Sequence, residues 1–92
     1  MTFKVVKSEH GGVVVFHLSG RLDAEHVTEL EHLIEAEVRY HSIVLDMKDV
    51  RLVDRDAVRF LAHCQTEGAR LDNCPAYIQE WMRREWIGMY PR

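Results

Sequence analysis

The hydrophobic period of this chain switches repeatedly between two and about 3.6, and that switching restricts the fold more than any single motif. In Val13 to Ser19, the residues Val14, Phe16 and Leu18 alternate with Val15, His17 and Ser19, the spacing that gives a strand one apolar face. From Asp23 the spacing lengthens: Val27, Leu30, Leu33, Ile34 and Val38 recur at helical intervals, while Glu29, Glu31, Glu35 and Glu37 fill much of the rest. This predicts an amphipathic helix that packs on a sheet. Asp23 is placed to cap it, with His26 where a capping box carries Glu.

The same alternation continues on both sides. Phe3 to Lys7 is a β-branched or aromatic run ahead of Gly11-Gly12, which predicts a hairpin with the strand from Val13, and Gly20 is expected to end that strand. Ser42 to Asp46 is short and almost continuously apolar, as in a central strand. Met47 to Val53 reads as a loop. Ala57, Phe60, Leu61 and Cys64 then repeat at helical spacing, with Asp54 placed to cap and Gly68 to stop a second helix. Ala69 to Cys74 predicts a fourth, shorter strand. Pro75 suits the first turn of a last helix striped by Ile78, Trp81, Met82 and Trp86 and ended by Gly88 and Pro91. Strand, strand, helix, strand, helix, strand, helix is an α/β pattern: a mostly parallel four-stranded sheet with an antiparallel N-terminal hairpin and three helices packed on it.

A chain of 92 residues with 47% hydrophobic and 29% charged content supports one core, so residues 1–92 are expected to form a single domain. The net charge of -3 and the scattered basic residues give no footprint for nucleic acid. No apolar run approaches the roughly 20 residues that span a bilayer, and Met1 to Lys4 lacks the start of a signal peptide. A cytoplasmic location without membrane insertion is expected. Cys64 and Cys74 read as two reduced, packed thiols rather than a disulfide scaffold.

Three segments carry a resemblance. Leu18-Ser19-Gly20-Arg21-Leu22-Asp23, then Ile43 through Asp54, then Gly68-Ala69-Arg70-Leu71-Asp72-Asn73-Cys74-Pro75 follow, in order and spacing, the Gly-x-Leu-Asp turn, the apolar strand with its Asp-x-x-x-Val loop and helix-opening Asp, and the Asn-x-Pro-like helix start of the STAS family. The chain therefore resembles anti-sigma factor antagonists over nearly its whole length. The resemblance implies a non-catalytic protein-binding module of bacterial signalling and transcription regulation, with no cofactor. Its partner surface would comprise residues 47–53 and the helix from Asp54, chiefly Asp49, Asp54, Arg55, Asp56, Arg59 and His63.

One departure changes that expectation. Phosphorylatable members carry two hydroxyl residues and a Gly after the helix-opening Asp, whereas Asp54 is followed by Arg55, Asp56, Ala57 and Val58. Asp56 stands at the phosphoacceptor position, so the usual Ser/Thr phosphoswitch is expected to be absent. A carboxylate there suits the first helical turn, where free N–H groups and the helix dipole favour negative charge, and it partly imitates a phosphate. Asp54 and Asp56 are equally well explained as ordinary helix-start carboxylates. The resemblance leaves three partner classes open: an anti-sigma factor or kinase-like protein; an ATPase and permease, with this chain as accessory STAS subunit of a membrane lipid-transport ABC complex; or a small molecule or nucleotide sensed by the domain.

Other constellations point less far. His10, His17, His26, His32, His41 and His63 include no pair at the i, i+4 spacing of helical metal ligands, so no metal site is expected. Ser8, Ser19, Ser42, Thr2, Thr28 and Thr66 fall at predicted turns, strand ends or helix surfaces, without an evident base. Trp81, Trp86, Met89 and Tyr90 have two readings: cover for the sheet, or an exposed patch for a partner or a second copy in a homodimer.

Overall fold

The computed structural model describes residues 2–89, with side chains described through Glu85. Strands β1 (Phe3–His10) and β2 (Val13–Leu22) are followed by helix α1 (Ala24–Glu37), strand β3 (Ser42–Val53), helix α2 (Arg55–Thr66), strand β4 (Arg70–Asp72) and helix α3 (Ala76–Met89). The sheet order is β1-β2-β3-β4. Only the β1-β2 pair is antiparallel, as the sequence predicts. Its turn is the expected one: His10 pairs with Val13 across Gly11 and Gly12, both at positive φ (53° and 85°), the backbone that a tight two-residue hairpin demands.

The two β-helix-β crossovers place α1 and α2 on the same face of the sheet, and α3 packs against α2. That face holds the core. Phe16, Leu18 and Leu22 of β2, Leu45 and Met47 of β3, Leu30 of α1, Leu61 of α2 and Ile78 of α3 are all essentially inaccessible, each contributing about 1.5–3 kcal/mol through removal of apolar surface from water. Cys64 joins them, while Trp81 packs against the core from its edge. Trp86, Met89 and Tyr90, the rest of the predicted aromatic group, lie outside the described side chains. The opposite face of the sheet, marked by His17 and Val6, is open.

Three readings are corrected. The segment 47–53 is not a loop: β3 runs unbroken to Val53 beside an equally extended β2, pairing Asp49 with Ser19, Val50 with Gly20, Leu52 with Arg21 and Val53 with Leu22. Irregularities after His17 and after Gly20 shift the register. Buried Met47 and Val50 are therefore three residues apart instead of two, and the strand period disappears from the sequence. Nor does Gly20 end its strand. It bends the strand at φ 88°, where a Cβ would collide with the carbonyl oxygen of Thr2, just ahead of β1. β4 is also shorter than residues 69–74, because Asn73 turns the chain at φ 55°.

Candidate protein-binding site

The predicted site lies at the N-terminal ends of α1 and α2, where β2 and β3 finish. Asp23 caps α1, accepting from the His26 N–H at 3.2 Å, and the His26 ring stacks on Phe3 with centroids 4.9 Å apart. Burial pushes the Asp23 carboxyl up, but the His26 N–H and the neighbouring His26 and Arg21 charges outweigh it and hold it below the usual carboxylate range.

Asp54 does more than the predicted cap. Its Oδ1 accepts from the Ala57 N–H of α2 at 2.8 Å, and its Oδ2 accepts from the Ala24 N–H of α1 at 3.0 Å. One carboxylate thus satisfies the first turns of two helices and welds them to the end of β3. Asp56, by contrast, is exposed in the first turn of α2.

Arg55 and Arg59, one turn apart on α2, converge on Glu85 of α3, with Nε to Oε1 distances of 3.1 and 2.8 Å. The Arg59 and Arg55 guanidinium groups hold the Glu85 carboxyl below its ordinary range. These arginines brace the helix layer, and their exposed flanks border Asp56. Asp49 and Leu52 are exposed on β3, and the Tyr77 hydroxyl of α3 donates to the Arg51 carbonyl at 3.1 Å. Leu52 and Tyr77 are 50% and 52% exposed. Sequence reasoning missed them as surface residues because Leu52 lies in the segment read as a loop and Tyr77 sits outside the apolar stripe of its helix.

His63 does not join this group. It lies seven residues beyond Asp56, about 10 Å along the helix, and lines a cleft at the other end of the layer. Asp54, Arg55, Asp56 and Arg59 therefore share the start of α2, whereas Asp49 lies five residues upstream on β3, opposite Ser19, and His63 stands apart.

Two clusters were not foreseen. On the open sheet face, Ser8 Oγ lies 3.2 Å from His17 Nε2, and His17 Nδ1 lies 2.9 Å from Asp46 Oδ2. Asp46 Oδ1 accepts from Asn73 Nδ2 and the Lys48 N–H, which, with the His17 contact, hold its carboxyl below the usual range. Ser8 thus does have an imidazole and a carboxylate in line, contrary to the sequence reading, because Asp46 faces His17 across the β2-β3 ladder. The chain of groups lies on a solvated sheet surface, and none of its members lines either of the two clefts of the molecule described here. In the second cluster, Glu9, Glu37 and His41 bring ligand-type atoms within 4.8 Å of one another. Lys7 already ion-pairs Glu37 there at 2.8 Å, and the His41 ring nitrogens lie 3.1 Å from Glu9 and Glu37 oxygens.

Comparisons with known proteins agree with this fold. The family model described as Mlab, STAS domain, matches residues 5–76. No curated protein matches the chain in sequence. Among solved structures, an anti-sigma factor antagonist from Mycobacterium paratuberculosis superposes with a TM-score of 0.72 at 21% identity, covering 98% of this chain and 84% of that one. The antagonist SpoIIAA in its unphosphorylated form gives 0.64 at 16% identity, covering 98% and 84%. An anti-sigma factor antagonist STAS domain from Rhodobacter sphaeroides gives 0.61 at 19%, covering 77% and 86%. At these identities the structures speak to the fold, and the match over residues 5–76 speaks to descent: the chain belongs to the STAS domain family.

Proposed function

We infer that this chain is a non-catalytic regulatory module that binds a protein partner through the end of β3 and the first turns of α2, without a Ser/Thr phosphoswitch. The observation that carries this reading is Asp56: an exposed carboxylate in the first turn of α2, at the position where phosphorylatable STAS proteins present a hydroxyl. Its charge is permanent, and the helix start beneath it is held rigid by Asp54. A partner would meet an acidic, preorganised rim formed by Asp49 and Asp56, with Leu52 and Tyr77 as apolar contacts and Arg55 and Arg59 alongside. Few apolar anchors inside a charged rim suit a modest, specific interface.

The test is affinity capture from native extract with wild-type protein and with Asp49→Lys plus Asp56→Lys, which leaves the Arg55, Arg59 and Glu85 brace intact. The reading expects a partner lost from the variant, and identical captured sets would overturn it. A companion measurement is mass spectrometry of the peptide spanning Val53 to Arg59. Phosphate on it would contradict the absent switch.

The missing hydroxyl also favours a second reading, an accessory STAS subunit of a membrane lipid-transport complex. Co-purification with an ATPase and a permease would select it over a kinase-like anti-sigma factor.

A further inference from the structure

The far end of the helix layer holds an unusual arrangement of charge. A cleft of about 360 Å³ opens between α1 and α2 where both helices finish, floored by Ile34, Val38, Ile43, Phe60 and Cys64. Glu31, Glu35 and Glu67 line it, together with His41 and His63, and no Lys or Arg does.

Two of these glutamates are placed against the general preference. Glu35 is in the last turn of α1, which has no basic residue, and Glu67 is the C-cap of α2. Both lie at the negative ends of helix dipoles, where cations are favoured and carboxylates are not. Among the described residues Glu9, Glu37, Glu80, Glu85, Asp23, Asp46 and Asp72 each have a basic or histidine partner, Glu25 and Asp56 sit in first turns, where the dipole favours them as it does the Asp54 cap, and outside the cleft only Glu29 and Asp49 have neither. Glu31, Glu35 and Glu67 form no ion pair among the described residues. Three like charges around an apolar floor, reinforced by two helix C-termini, leave a site electrostatically unfinished. The field reaches the floor: after burial, Glu31 is the next cause raising the Cys64 thiol.

A bare metal ion suits the rim but not the floor, which offers it no oxygen ligands. An aromatic cation suits the floor but engages one carboxylate at a time. We propose that this cleft binds a linear aliphatic polyamine, its methylene segments on Ile34, Val38, Ile43 and Phe60 and its ammonium groups on Glu31, Glu35 and Glu67. The methylenes remove apolar surface from water while the ammonium groups stay at the wet rim. The site is distinct from the Asp56 surface, so either can fail without the other.

The test is an amide-shift titration of the full chain with spermidine at low ionic strength. Saturable shifts confined to Ile34, Val38, Ile43, Cys64 and Ala69 are expected. Glu31→Gln plus Glu67→Gln should weaken binding about tenfold, whereas Glu25→Gln plus Glu29→Gln, an equal charge change away from the cleft, should leave it unchanged. Equal weakening by both pairs, shifts spread over all acidic surface, the same shifts from magnesium chloride at matched ionic strength, or shifts from a lysine-rich peptide but not from spermidine would each overturn the proposal.

Discussion

The two ends of the α1-α2 layer are built on opposite electrostatic principles. At the N-terminal end, Asp23 and Asp54 supply negative charge where the helices need it, and Asp54 serves both helices at 2.8 and 3.0 Å. At the C-terminal end the sequence places Glu35 and Glu67 against the dipoles and leaves them unpaired among the described residues. The first arrangement stabilises the fold from within and leaves Asp56 exposed beside the shared cap. The second is completed by something brought from outside. A domain of this size has stability of only a few kcal/mol to spare, so the difference locates where internal satisfaction ends and binding begins.

The comparison can be broken in several ways, taken here from the largest expected effect downward. Burial, followed by Glu31, pushes the Cys64 thiol up to about 12. Alkylation of Cys64 by iodoacetamide at pH 8 should therefore be about a thousandfold slower than for an unstructured cysteine. A native rate within about tenfold of the denatured rate would show that the cleft floor is open. Next, Asp54→Ala removes caps from two helices at once and should lower stability by about 2 kcal/mol, or about 10 °C in Tm. Asp54→Asn, which keeps one acceptor, should cost about half as much. If Ala costs no more than an ordinary surface change, the shared cap contributes nothing.

Acid provides a third route. Asn73, together with Lys48 and His17, lowers the folded Asp46 carboxyl, and Arg59 and Arg55 lower Glu85. Because the folded values lie below the unfolded ones, their stabilisation is complete above the ordinary carboxylate range and is lost as pH falls through the folded values. Urea midpoints should be flat near neutrality and fall below about pH 4. Asp46→Asn should flatten that fall, and an unchanged profile would remove Asp46 from the account. The smallest effects test the dipole argument itself. Glu35→Lys or Glu67→Lys should stabilise by about 0.5 kcal/mol, and Asp56→Lys should destabilise by a similar amount, both differences shrinking in high salt. Equal signs at the two helix ends would dissolve the contrast.

Much of the architecture was legible because its signals are local. A cap needs an acceptor three residues from its donor, as Asp23 and His26 are. A tight hairpin needs positive φ at two neighbouring residues, as Gly11 and Gly12 have. An amphipathic helix repeats within a few turns, so the helices and their caps were readable, and so was the carboxylate at position 56. The site was only half legible. Asp54, Arg55, Asp56 and Arg59 share the start of α2, but Asp49 lies upstream on β3 opposite Ser19, and His63 falls at the other end of its helix because seven residues span about 10 Å.

The sequence by itself determined the alternation of strands and helices, the caps at Asp23 and Asp54, and the carboxylate of Asp56 in the first turn of α2, since each depends on residues within one or two turns of one another. Tertiary structure alone decided that residues 47–53 extend a strand, because the register shifts that hide its period belong to pairing with β2. It also decided that the second oxygen of Asp54 reaches Ala24, that Arg55 and Arg59 meet Glu85, and that Ser8, His17 and Asp46 align. Above all it gathered Glu31, Glu35 and Glu67 around one cleft. Those relations join distant segments whose side chains meet only after the core has set their distances, and no local spacing records them.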